Sequence, residues 1–213
     1  MSLVDRILSQ PLAYRLWQVP FAGRKLEPIA AHNDLKSIRR VLDVGCGPGT
    51  NAPIFAHTDY LGVDLNPKYI EDARKQHRLK FEVADVRQPE TLPVGSGFDF
   101  ILVNSLLHHI DLASTRTLLG SLPALLSSDG HVHIVEMCMP VERLNLCRVL
   151  ANADRGNYYR PVEDWKEIFF EQFEPVVFEP FSQRHAGVTL YEMVYFKGRA
   201  KAGSSAKVKT PSA

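Results

Sequence analysis

Apolar residues Leu3, Ile7 and Leu8, then Leu12 and Leu16, recur at helical intervals, with Pro11 placed to break or restart the helix. This spacing predicts one or two amphipathic helices over 3–17 that pack as a lid. From residue 40 the pattern changes to short apolar runs separated by polar helical stretches. RVLDV (40–44), YLGVDL (60–65), KFEVADV (80–86), FDFILVN (98–104) and HVHIVEM (131–137) read as five buried strands. PKYIEDARKQH (67–77) reads as a helix opened by proline, and STRTLLGSLPALL (114–126) as one weakened by Gly120 and Pro123. Strand and helix in alternation imply right-handed crossovers and a parallel sheet covered on both faces. The end of the chain differs. PVEDWKEIFFEQF (161–173) predicts a helix with Pro161 at its first position, and EPVVFEPF (174–181) with VTLYEMVYFKG (188–198) predicts a β-hairpin. Residues 199–213 are nearly devoid of apolar side chains and read as a disordered tail.

Composition narrows the function classes. The chain has 213 residues, 45% hydrophobic and 23% charged, enough to bury one core. A net charge of +1 lacks the basic excess that coating a phosphate backbone requires, which disfavours nucleic acid as partner. Cys46, Cys138 and Cys147 are odd in number and form no CxxC pair, so neither a disulfide framework nor a zinc site is expected. No apolar run approaches the roughly 20 residues that cross a bilayer. The expectation is a cytoplasmic protein with no membrane partner and no metal.

The chemistry concentrates in VLDVGCGPGT (41–50), where a strand ends in a turn with glycines at 45, 47 and 49. Such a turn presents bare backbone to a ligand at the carboxyl edge of an open sheet. A phosphate-binding P-loop is excluded, because no Gly-Lys-Ser or Gly-Lys-Thr follows. A dinucleotide fingerprint is weakened, because Thr50 stands where its third glycine would fall. A nucleoside without pyrophosphate remains. Asp64, nineteen positions after Gly45, is placed to accept from ribose hydroxyls. Asp85, with the Val86 amide, is placed to read the amino group and ring nitrogen of adenine.

With these residues the chain resembles the class I S-adenosylmethionine-dependent methyltransferases over residues 40–196 or so, through VLDVGCGPGT, YLGVDLNP, Asp85, FDFILVNSLLHHI and the terminal hairpin. The resemblance implies a Rossmann-like three-layer sandwich with a seven-stranded, mostly parallel sheet and an antiparallel C-terminal hairpin. Residues 1–39 would form a helical cap, 40–198 the cofactor-binding domain and 199–213 the tail. It implies a cofactor site of Asp43, Gly45, Cys46, Gly47, Asp64, Leu65, Asp85, Val86 and Asn104, with Asp43 orienting the loop or meeting the methionyl amine through water and Asn104 facing the sulfonium. S-adenosyl-L-methionine would be consumed and S-adenosyl-L-homocysteine released.

Candidate catalytic residues are His109 and His108, just beyond the fourth strand, as general bases for an acceptor that must lose a proton. The competing reading has one histidine packed beneath the loop and the other in passive contact with ligand. Glu136 is a candidate substrate ligand or a solvated or capping acid; Tyr158, Tyr159 and Tyr14 are candidate substrate contacts or packing residues. After Asn104, Ser105 and Leu106 replace the [DN]PP[YF] pattern of enzymes that methylate adenine or glutamine amino groups. The expected acceptor is a small organic molecule, for a monomer or homodimer. A protein or RNA methyltransferase, a non-catalytic binding subunit and an NAD-dependent oxidoreductase remain as alternatives.

Overall fold

The computed structural model describes residues 26–139, 158–185 and 188–203. The expected helices over 3–17, with Tyr14, lie outside them, as do Cys147 and most of the tail. The elements are α1 (Glu27–Ala31), β1 (Arg40–Val44), β2 (Asp59–Asp64), α2 (Pro67–Gln76), β3 (Lys80–Val83), β4 (Phe98–Asn104), α3 (Leu112–Ser121), β5 (Leu126–Cys138), α4 (Val162–Gln172), β6 (Phe173–His185) and β7 (Val188–Ala200). The strands form one sheet in the order β3-β2-β1-β4-β5-β7-β6. β7 is antiparallel to both β5 and β6, and the other six strands share one direction.

Both sheet faces are covered. Alternation along β1 sends Leu42 and Val44 to one core, with Ile101, Val103, Ile134 and the α4 residues Trp165 and Phe169. Val41 turns to the other, with Phe55, Ile70, Phe81, Phe100 and Val135. The connection leaving β1 runs to β2 on one side and that leaving the adjacent β4 runs to β5 on the other, so a crevice opens between their carboxyl ends. No helix among the described residues is long and apolar enough to cross a membrane.

Several boundaries depart from the sequence pattern. The glycine turn leads into a short 3-10 turn, Ala52–Phe55. The expected helix over 114–126 divides into α3 and a 3-10 turn, Leu122–Leu125, because Pro123 supplies no amide hydrogen to continue the α ladder. β3 stops at Val83, leaving Asp85 two residues past the strand. Pro161 is the N-cap of α4, not its first helical residue. β5 starts at Leu126, ahead of the apolar run, since Ser127, Ser128 and Asp129 disguise its first half. Between β3 and β4 there is a 3-10 turn, Pro89–Thr91, and no α-helix.

Candidate active site

The glycine turn is fastened to the end of β2. Val63 O accepts from Gly45 N (2.8 Å) and Cys46 N (3.0 Å), while Asp64 Oδ2 accepts from Gly47 N (2.9 Å) and Oδ1 from Asn66 N (2.8 Å). Gly45 (φ 74°) and Gly47 (φ 54°) are left-handed, a conformation that costs an L side chain about 1–2 kcal/mol. A Cβ on Gly45 would lie 2.9 Å from Leu106 Cδ1, so the loop after β4 closes directly against bare backbone.

A cleft of about 580 Å³ opens over this turn, within the range of small-molecule sites. It gathers Gly45, Gly47, Asp64, Leu65, Asp85, Val86, His109 and Tyr158 from the residues singled out in the sequence. Tyr69, Arg87, Ser105, Leu106, Ile110 and Asp111 also line it and were not foreseen. The apolar residues Leu65, Val86, Leu106 and Ile110 offer faces for a flat base, while Asp64 and Asp85 offer acceptors for hydroxyl and amino donors. The same carboxylates repel a pyrophosphate. The donor and acceptor set therefore fits an adenosine moiety better than a dinucleotide.

The other predicted residues stand behind the cleft wall. Asp43 is fully buried, with Oδ2 accepting from Tyr60 Oη at 2.8 Å. Burial pushes its pKa up to about 7, against lowering by hydrogen bonding from Tyr60 and Asn51, with the Asp64 charge adding to the rise. Cys46 is buried, and desolvation pushes its thiol well up. Asn104 is half-buried, with Nδ2 3.4 Å from Asn51 Oδ1. None of these three lines the cleft.

The two histidines part company. His109 is exposed on the cleft, whereas His108 is buried with Nδ1 2.5 Å from Glu136 Oε1. Glu136, expected to be solvated, capping or ligand-binding, is instead completely buried. Its Oε1 also accepts from Met137 N and its Oε2 from Leu107 N, both at 2.7 Å. Burial pushes the Glu136 carboxyl up, but His108 and these amides outweigh it and hold it below the usual carboxylate value. Tyr159 stacks on His108 at 4.8 Å, so of the paired tyrosines only Tyr158 meets the cleft.

The segment at 158–160 is pinned to the turn carrying His109. Tyr158 N donates to His108 O (3.0 Å), and Arg160 Nη1 donates to Tyr158 O (3.0 Å). The Arg160 guanidinium lies 4.7 Å from the Trp165 ring, whose Nε1 donates to Met137 O (3.0 Å). Asp111, at the end of the same turn, caps α3 by accepting from Ser114 N at 2.8 Å. That aspartate-to-serine spacing was visible in the sequence; Arg87 and the left-handed Ser105 (φ 53°) carried no comparable signal.

Comparison with known proteins agrees with this geometry. Residues 41–130 match the family described as "Methyltransferase domain". An uncharacterized methyltransferase of Mycobacterium tuberculosis is 31% identical over 131 residues, covering 59% of this chain and 64% of the relative. The chain thus spans just under two thirds of that relative's length. A trans-aconitate 2-methyltransferase of Methylobacterium radiotolerans is 32% identical over 120 residues, covering 52% of this chain and 44% of the relative. Among solved structures, a 1,6-didemethyltoxoflavin-N1-methyltransferase of Burkholderia thailandensis superposes with a TM-score of 0.66 at 24% identity, over 92% of this chain and 86% of that one. Sequence match and sheet order converge: residues 41–130 match a methyltransferase domain, and the chain shares the fold of the solved 1,6-didemethyltoxoflavin-N1-methyltransferase.

Proposed function

We propose that the chain binds S-adenosylmethionine in the cleft and transfers its methyl group to a small organic acceptor. The observation that carries this reading is a cleft lined together by the left-handed Gly45 and Gly47, by Asp64 at the end of β2, by Asp85 just past β3 and by His109. The Burkholderia thailandensis structure, with bound 1,6-didemethyltoxoflavin and S-adenosylhomocysteine, and the trans-aconitate enzyme both support a small acceptor.

When bound, the donor supplies a sulfonium-activated methyl group open to in-line displacement. Asp64 accepts from the ribose hydroxyls while bracing Gly47, which couples nucleoside binding to the shape of the turn. Asp85 accepts from the base amino group. Leu65, Leu106 and Ile110 line the cleft and would help to exclude water once the donor is bound, which strengthens the local field. His109 takes the proton from a hydroxyl, thiol or ammonium acceptor, and Tyr158 lines the same cleft.

The test is formation of S-adenosylhomocysteine from S-adenosylmethionine with a panel of small carboxylate, phenol and heteroaromatic acceptors. The expected result is turnover with at least one class, reduced about 10²–10⁴-fold in His109→Ala, the usual worth of a positioned base. Unchanged turnover in His109→Ala across pH would remove the base role.

A further inference from the structure

The carboxylate at the base end of the cleft already has a ligand from this chain. Asp85 Oδ1 accepts from Arg87 N (3.0 Å) and Nε (2.9 Å), and Oδ2 accepts from Nε (3.2 Å) and Nη2 (2.7 Å). Three N–H donors make these four contacts, the single Nε–H being shared between the oxygens, so Arg87 takes up most of the carboxylate's roughly four lone-pair sites. Oδ2 is held by the guanidinium side chain alone, and a movement of that side chain frees it without disturbing the backbone. Nothing buries Arg87 in this position: its side chain is 51% exposed, against 18% for Asp85, and both residues line the cleft.

We propose that Arg87 is a built-in competitor for the nucleobase and thereby a specificity-determining residue: its guanidinium occupies Asp85 Oδ2 until an incoming adenine amino group displaces it. The inference rests on the function proposed above. An incoming amino donor replaces a cationic donor with an uncharged one on the same carboxylate, so each binding event forfeits part of the ion pair. Asp111, the other carboxylate of the cleft that acts on Arg87, does not compensate fully. Its two oxygens are engaged by Ser114 N (2.8 Å) and Ser114 Oγ (3.0 Å) as the cap of α3, leaving Arg87 only an attraction at a distance.

The same arrangement sets base selectivity. A base with a carbonyl in place of the amino group presents an acceptor where adenine presents its donor to Asp85, its added ring N–H lying at the neighbouring edge position. While Arg87 stays in place, that carbonyl meets a neutralised carboxylate. Without Arg87 it meets a bare anion, acceptor against acceptor. Arg87 therefore weakens binding of the amino base and softens rejection of the oxo base.

The test is calorimetric titration of the wild type, Arg87→Ala and Arg87→Lys with S-adenosylhomocysteine and with S-inosylhomocysteine, at two ionic strengths. Exposed ion pairs are worth little, which bounds the expected gain. Arg87→Ala should bind S-adenosylhomocysteine about two- to fivefold more tightly and S-inosylhomocysteine more weakly. Arg87→Lys, which cannot form the fork, should fall between. Raising salt should narrow the gap between wild type and Arg87→Ala. Weaker S-adenosylhomocysteine binding by Arg87→Ala, or equal changes for both ligands, would overturn the proposal while leaving the proposed function intact. Absence of binding by the wild type would overturn both.

Discussion

Removing the Glu136 carboxylate is the sharpest perturbation of the scaffold behind the cleft. In Glu136→Ala the amides of Leu107 and Met137 lose their 2.7 Å acceptors, and buried His108 loses its counter-charge. Breaking one side of a buried ion pair costs about 3–5 kcal/mol, and the two orphaned amides act in the same direction. At about 2–4 °C per kcal/mol for a chain of this size, the thermal midpoint should fall by about 6–20 °C. Scanning calorimetry and urea unfolding at pH 7 would read the change. The sign with pH is fixed: a carboxyl held below its ordinary 4.5 stabilises the fold above that pH, and the contribution is lost as pH falls through the folded value. The gap between wild type and variant should shrink accordingly in acid. Glu136→Gln, which keeps the shape and one acceptor, should lose less. A midpoint drop under 2 °C in Glu136→Ala with an unchanged urea slope would refute the reasoning.

Asp43→Asn should remove a pH dependence. With its folded pKa raised from 3.8 to about 7, the native chain holds a proton that the unfolded chain releases, so wild-type stability falls between about pH 4 and 7. Up to about 4 kcal/mol is at stake, and the variant should show a flatter curve in urea titrations and greater stability at pH 8. Gly45→Ala should weaken S-adenosylhomocysteine binding about tenfold by calorimetry, from left-handed strain and the push on Leu106.

What was legible in the sequence follows from which forces act locally. The ends of β1 and β4 and the start of α2 coincide with the predicted runs, because branched aliphatics buried on both faces and a proline at a helix start are local signals. The position of Asp64, Gly45 and Gly47 at the carboxyl edge of the sheet was readable for the same reason. The Glu136–His108 pair was not, since its partners are brought together by strand pairing: the β4–β5 register sets Asn104 beside Val135, and Ser105 N donates to Val135 O at 2.8 Å. Glu136 thereby comes to lie under the chain leaving β4. The Arg87 fork was hidden too, because it depends on the turn in which Gln88 N donates to Asp85 O at 2.9 Å. Long-range pairing and irregular turns, rather than side-chain periodicity, shape the part of the site that sequence did not show.

The central claim is that the cleft over the glycine turn holds an adenosine moiety through the carboxylate at the end of β2. Isothermal titration of S-adenosylhomocysteine into the wild type and Asp64→Ala tests it most directly. The account predicts one-to-one binding by the wild type, weakened about 10–100-fold in the variant by loss of hydrogen bonds to a charged group. No heat with the wild type, or equal affinity in the two proteins, would contradict it.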